Sequence, residues 1–134
     1  MLVREYFQDQ RDNLVCGCGC GLIAPRRAVE MLYAVRIIMD IPIITNSSIR
    51  CKQHNIDVGG SEKSMHLPWQ ERDGYEEECA FDIIAGSRKH HRFHEWRLIQ
   101  VCQFVGFAGI GLRDNTFLHV DNRRAYGTVW GYPK

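Results

Sequence analysis

The sequence predicts a single α+β domain, and three observations lead there. The chain is 134 residues long, the size of one domain and enough to bury a core without disulfides. Two segments carry apolar residues at helical spacing, and two short runs carry the β-branched or alternating pattern of strands. Hydrophobic residues at 45% and charged residues at 25% are ordinary globular values, which argues against a disordered, fibrous or membrane class.

Residues 1–25 hold Gly17, Gly19, Gly21 and Pro25 with little periodicity, and read as an irregular N-terminal arm of the one domain, 1–134. Pro25 suits the start of a helix. Ala28, Met31, Leu32, Val35, Ile38 and Met39 then fall on one helical face, with Pro42 closing the segment. Ile41 to Thr45 is a β-branched run ending at the Asn46-Ser47-Ser48 cluster, which predicts a buried strand and a polar loop. Residues 51–64, with Gly59-Gly60, and the acidic stretch 69–78, with Gly74, read as loops on either side of His66. A second helix is expected over about 88–105, with Leu98, Val101, Cys102 and Val105 inward. Gly106, Gly109 and Gly111 punctuate the chain before a strand over 116–121.

Composition excludes several functions. With 17 Lys and Arg against 16 Asp and Glu, the formal charge is +1, which is no electrostatic footprint for nucleic acid. No run has the length of a membrane span, and Met1-Leu2-Val3-Arg4-Glu5-Tyr6 lacks the apolar stretch of a signal peptide. The expectation is a monomer without membrane insertion, made in the cytoplasm and exported, if at all, by another route. Six cysteines are many for such a chain. Cys16-Gly17-Cys18-Gly19-Cys20 invites a metal reading, although C-x-C-x-C is tighter than the usual C-x2-4-C and no C-x-x-C follows it. A disulfide from this cluster to Cys51 or Cys102 is a second reading, and free thiols are the default.

The residues that carry chemistry sit further on. Along the last strand Phe117, His119 and Asp121 share one face and Leu118 and Val120 the other. Two polar side chains between large apolar neighbours are costly to bury without a partner, and a metal, a solvated edge or a His–Asp hydrogen bond would each serve. Asp82 lies in the apolar stretch Cys79-Ala80-Phe81-Asp82-Ile83-Ile84 and would need a partner if that stretch is buried. His66 precedes Pro68 and Trp69. Two histidines and a carboxylate can hold zinc while leaving one position open for water. The basic run Arg88, Lys89, His90, His91, Arg92 and His94 reads as a solvated face; His90 and His94 at i, i+4 lack a third ligand and the glutamate of H-E-x-x-H.

Taken together, these blocks resemble the zinc D-Ala-D-Ala carboxypeptidase family of peptidoglycan peptidases, which includes phage endolysins cutting L-alanyl-D-glutamate bonds. Ile44-Thr45-Asn46-Ser47-Ser48-Ile49-Arg50-Cys51 is similar to the family's strand and SGYR turn, and His54-Asn55-Ile56-Asp57-Val58-Gly59-Gly60 to its lead-in. Ser64-Met65-His66 with Ala80-Phe81-Asp82-Ile83 resembles the S-x-H-x-x-G-x-A-x-D signature. Gly109-Ile110-Gly111 with Phe117-Leu118-His119-Val120-Asp121-Asn122-Arg123 resembles its GIG and HVD close. The likeness runs from about Tyr6 to Arg123. It departs at the carboxylate, which the family places seven residues after the histidine. That spacing lands on Asp73, whereas the residue types match at Asp82, with a nine-residue insertion through 70–78 and Glu78 at the signature's glycine.

The resemblance implies a small antiparallel sheet carrying the zinc site with helices packed on one side, as in hedgehog and D-Ala-D-Ala peptidase folds. It implies zinc on His66, Asp82 and His119 with water as the fourth ligand. Arg50 would pair with a substrate carboxylate through its planar fork, Asn55 would lie in the substrate-binding block, and Ser64 would orient a ligand or substrate or simply cap the backbone. The general base is open. Thr116 occupies the position three before His119 where some members carry a carboxylate or histidine. Asp121 is favoured as the catalytic base, with a partner role to a ligand histidine as its alternative, and Asp114 is the other nearby carboxylate. The implied activity is hydrolysis of peptidoglycan stem peptides or cross-links, as carboxypeptidase or endopeptidase, with a phage endolysin reaching the wall through a holin or a virion as one setting. The rival is a catalytically silent zinc-containing module that binds the cell wall.

Overall fold

The structure, a computed structural model, describes residues 14–124 and 127–132. The first part of the N-terminal arm, residues 1–13, lies outside the described residues. Among the described residues, three α-helices and five strands follow in the order α1 (Arg26–Met39), β1 (Ile43–Ser47), α2 (Lys52–Asp57), β2 (Ala80–Ala85), α3 (His91–Val105), β3 (Gly109–Arg113), β4 (Phe117–Asp121) and β5 (Thr128–Gly131). The strands form one sheet ordered β1-β2-β4-β3-β5. Neighbours run antiparallel except β3 and β5, which are parallel. The α+β expectation is met.

Pro25, extended at φ −59 and ψ 145, leads into α1, which ends at Asp40 in the left-handed region. Its buried face is Ala28, Val29, Leu32, Val35 and Met39. The predicted stripe is corrected at its flank: Val29 is inside, and Ile38 is 41% exposed. On α3, Leu98, Ile99 and Cys102 are buried, while Val101 and Val105 pack partly buried against the core. That helix lies on β2 and β4, and α1 packs on α3. Phe81, Ile83 and Ala85 of β2, Ile110 of β3 and Leu118 and Val120 of β4 meet the helices in one apolar cluster. Strand alternation therefore turns Asp82, His119 and Asp121 to the opposite face.

Four regions expected as loops, punctuation or solvated surface are ordered in ways the local pattern hides. Within 51–64, residues Lys52–Asp57 form α2, capped by Cys51, whose sulfur accepts from the His54 N–H. The acidic insertion is stitched down. Arg72 donates from Nε to the Leu67 carbonyl at 3.0 Å, and from its two remaining nitrogens to the Glu78 carbonyl at 3.0 Å and carboxylate at 3.2 Å. Glu78 in turn accepts from the N–H of Tyr75 and of Arg124. A buried carboxylate thus replaces the signature glycine and anchors the added residues. The run 88–94 is not wholly a solvated face either. His91 is fully buried at the start of α3, accepting from the Ala85 N–H at Nδ1 and donating from Nε2 to Glu95 at 2.7 Å.

Gly109 and Gly111, read from sequence as punctuation, lie inside β3. Asp114 and Asn115, both at positive φ (45 and 60), form with Thr116 the three-residue turn to β4. Asp114 belongs to that exposed turn.

Candidate metal centre

One row of residues crosses the sheet and builds the centre. Ser47 of β1 pairs with Asp82, Asp82 with His119, His119 with Gly111, and Gly111 with Trp130. All five side-chain positions lie on the face away from the helices, so Asp82 and His119 meet as direct cross-strand neighbours. His66 reaches the same point from the segment before the insertion. Its backbone carbonyl accepts from the Arg50 N–H at 2.7 Å, and Ser64 Oγ accepts from its N–H at 3.2 Å. Ser64 is seen here as the backbone cap of this turn.

His66, Asp82 and His119 are 3%, 8% and 5% exposed. Their candidate ligand atoms all lie within 4.8 Å of one another. His66 Nε2 is 3.3 Å from Asp82 Oδ1, and His119 Nδ1 is 3.1 Å from the same oxygen. Two ligand atoms each about 2.0–2.1 Å from a tetrahedral zinc stand about 3.3 Å apart. The observed separations match that edge.

The far side of each ring is already occupied. His66 Nδ1 lies 2.6 Å from the Ser48 carbonyl, so that nitrogen carries the proton and Nε2 presents a lone pair. His119 Nε2 lies 2.9 Å from Asp121 Oδ2, which likewise turns Nδ1 toward the centre. Metal-binding histidines are oriented by such carbonyl and carboxylate partners. Asp121 is itself fully buried and grips Arg123 through both oxygens at 2.7 Å.

Electrostatics follows from these contacts. Burial pushes the Asp82 carboxyl up, but hydrogen bonds from His119 and His66 outweigh it and hold the group well below the usual carboxylate range. Burial likewise opposes the charge on Asp121, yet the Arg123 and His119 contacts hold it at about 2. For His119, desolvation lowers the pKa, and the Asp121 and Asp82 contacts reverse that and raise it. Nδ1 thus sits where positive charge is favoured, whether a proton or a cation supplies it.

Arg50 borders the centre. It stands 3.7 Å from Asp82 Oδ2, and donates to Asn55 Oδ1 and Ser47 Oγ, each at 3.3 Å. Asn55 is buried, and its amide nitrogen donates to the Ser61 carbonyl. A side chain at Gly60 would place its Cβ 2.0 Å from Asn55 Oδ1, so the second glycine of the pair leaves room for this contact. Asn55 holds Arg50 in place.

The glycines of β3 serve the same purpose on the other flank. A Cβ at Gly109 would lie 2.3 Å from the Asp121 carboxylate, and one at Gly111 would lie 2.9 Å from the Trp130 ring. Their absence lets Asp121 sit under His119 and lets Trp130 close on the His119 ring at 5.2 Å between centroids. Tyr132 follows at 6.4 Å. Neither aromatic was singled out from sequence. The one available signal was G-I-G, whose bare positions imply that something bulky lies across them. Asp73 is exposed at a positive-φ turn of the insertion and takes no part in the cluster.

Comparison with curated proteins finds no match, and neither does comparison with solved structures. The family model described as peptidase M15 matches residues 6–121, a span that includes all three clustered side chains and nearly the whole described fold. With a buried His-Asp-His cluster on its sheet, the chain belongs to the peptidase M15 family of metallopeptidases.

Proposed function

We propose that this chain is a zinc-dependent peptidase of peptidoglycan, hydrolysing stem-peptide or cross-link amide bonds. The observation that carries the reading is the convergence of His66 Nε2, His119 Nδ1 and Asp82 at tetrahedral-edge distances, with the opposite ring nitrogens tied to Ser48 and Asp121. Two nitrogens and one carboxylate oxygen are the donor set of a catalytic zinc site with an open position. When bound, zinc would supply Lewis acidity, lowering the pKa of water from about 15.7 toward about 7 and stabilising charge on the attacked carbonyl.

The chain's own residues do the rest. Ser48 and Asp121 fix the ring tautomers, so each histidine offers a lone pair without rearrangement. With Arg123 and His119 occupying its oxygens, Asp121 acts as the positioning residue of His119, the alternative to a base role. Arg50, aimed at the centre by Asn55 and Ser47, takes a substrate carboxylate in a bidentate grip. An anchor this close to the metal suits a carboxylate on the residue flanking the scissile bond. Trp130 and Tyr132 wall the side of the cleft beside His119.

A muralytic assay with and without chelator tests the reading. Lysis that a chelator abolishes and zinc restores is expected. Zinc uptake and wall binding without any hydrolysis would favour the silent binding module instead. The finer proposal, an endolysin made in the bacterial cytoplasm and delivered by a holin or a virion, is supported by the small size of the domain. A holin or tail gene beside this one would support it further. No helix among the described residues is long and apolar enough to cross a membrane.

A further inference from the structure

A second group of ligating side chains lies outside the centre just described. The stretch from Leu14 to Ala24 folds back on itself: Val15 and Ile23 form an antiparallel bridge, Cys16 N–H donates to the Leu22 carbonyl and Ala24 N–H to the Leu14 carbonyl. Gly19 and Gly21, at φ +83 and +90, turn the tip. This tip carries Cys16, Cys18 and Cys20. The fourth thiol, Cys51, comes from the N-terminus of α2, thirty-three residues after Cys18. All four sulfurs lie within 4.8 Å of one another.

The separations decide between the chemistries open to four clustered thiols. Cys16 Sγ is 3.4 Å from Cys18 Sγ, and Cys18 Sγ is 3.6 Å from Cys51 Sγ. A disulfide needs about 2.05 Å. Sulfurs each about 2.3 Å from one tetrahedral zinc stand about 3.8 Å apart. The observed spacing is close to the tetrahedral edge, and all four cysteines are free. Two backbone amides also point at the sulfurs: Cys51 N–H at Cys16 Sγ and His54 N–H at Cys51 Sγ, each at 3.4 Å. Amide donors aimed at sulfur stabilise thiolate, the form that binds metal.

We propose that Cys16, Cys18, Cys20 and Cys51 form a structural zinc site that clips the N-terminal hairpin to the start of α2. Four thiolates complete the tetrahedron and leave no position for water, so the site is closed and holds shape rather than performing chemistry. What it holds is adjacent to the proposed cleft. Cys51 follows Arg50 directly, and Gly17 and Val15 of the hairpin share with Ser47, Arg50 and His54 the lining of a depression beside the guanidinium. The clip ties that wall to the residue proposed to bind substrate. The tight C-x-C-x-C spacing is accommodated because the glycines turn the chain between ligands and the last donor comes from elsewhere in the fold.

Elemental analysis and cobalt spectroscopy test this without reference to activity. Wild-type protein purified under reducing conditions with zinc is expected to carry two equivalents, and Cys18→Ser and Cys51→Ser one each. Cobalt-loaded wild type is expected to show thiolate-to-cobalt charge-transfer absorption in the near ultraviolet. The band should persist in His66→Ala and His119→Ala, whose site has no sulfur, and disappear in Cys51→Ser. The wild-type spectrum needs no variant to fold. One zinc equivalent in wild type with no thiolate band, iron in place of zinc, or a Cys18–Cys51 disulfide found by alkylation and mass analysis would each overturn the proposal. Loss of the His-Asp-His metal alone, with the thiolate band intact, would count against the proposed function and leave this site standing.

Discussion

The molecule gathers two groups of metal-ligating side chains and builds them on opposite principles. His66, Asp82 and His119 are all buried and stand largely on adjacent strands of the sheet, and further buried groups orient each ring. Cys18 and Cys20 are exposed at a hairpin tip, with Cys51 half-buried and Cys16 alone inside. The first group offers three hard or borderline donors, one short of a tetrahedron, with Arg50 beside it at 3.7 Å from Asp82. The second offers four soft donors and no open direction. The rigid sheet suits a centre that must keep its geometry through a reaction, whereas a glycine-rich hairpin gains its order from the ion it encloses. Ligand type alone does not make a site catalytic; the unfilled position and its surroundings do.

The comparison breaks most sharply at the histidines. His66→Ala and His119→Ala are each expected to reduce hydrolysis to background and to lose one zinc equivalent, because three protein ligands leave none to spare. Both zinc equivalents retained in either variant would remove the site. Asp82→Ala should behave the same way, and Asp73→Ala should keep wild-type zinc content, since Asp73 is exposed on the insertion. The reverse outcome would relocate the carboxylate ligand to the family's usual spacing.

Why the carboxylate was legible and other parts were not has a physical reason. Asp82 could be found because strand alternation and residue types around it survive an insertion, whereas a count of residues does not. The α1 face was legible from helical spacing at Ala28, Leu32, Val35 and Met39. The alternation of β4 placed His119 and Asp121 together on one face. By contrast α2 is six residues of mostly polar sequence, too short to show a period, and it is stabilised by a cap and by its place beside the hairpin. β3 carries two glycines because Asp121 and Trp130 need the space, so its strand character is absent from local propensity. His91 looked solvated in a basic run, and only the docking of α3 on the end of β2 buries it. The cysteine group was legible only in part: a metal reading of Cys16, Cys18 and Cys20 and a pairing with Cys51 both stood open, but spacing rules describe ligands close in sequence and Cys51 arrives through the fold.

Smaller effects sharpen the contrast between holding metal and holding substrate. Arg50→Ala should keep full zinc content and lower kcat/KM by roughly 10²-fold, about 2.7 kcal/mol of transition-state stabilisation. Arg50→Lys should recover only part, because an ammonium restores charge without the two parallel hydrogen bonds. Comparing free-acid with amidated stem peptides checks the contact: the variant should lose most of the wild-type preference for the free acid. Wild-type rates in Arg50→Ala on both peptides would show the guanidinium to be a bystander.

Asp121→Asn should weaken zinc affinity by about 10–100-fold, the scale for removing an orienting partner, read by competition with a chelator of known affinity. Unchanged affinity would separate Asp121 from the centre. In metal-free protein the same carboxylate gives a pH signature. Its pKa falls from an ordinary 3.8 to about 2 on folding, so its contribution is complete above about pH 4 and is lost as pH falls through about 2. That loss is about 2 kcal/mol, and acid unfolding of the metal-free Asp121→Asn variant should lack it.

The most direct test of the central claim is anomalous scattering at the zinc edge from a crystal of the zinc-loaded protein. The expected result is a peak about 2.0–2.2 Å from His66 Nε2, His119 Nδ1 and an Asp82 oxygen, with Asp121 still bonded to the far side of His119. A zinc-loaded crystal with no peak among these three side chains, or with the peak bound through Asp73, would contradict it.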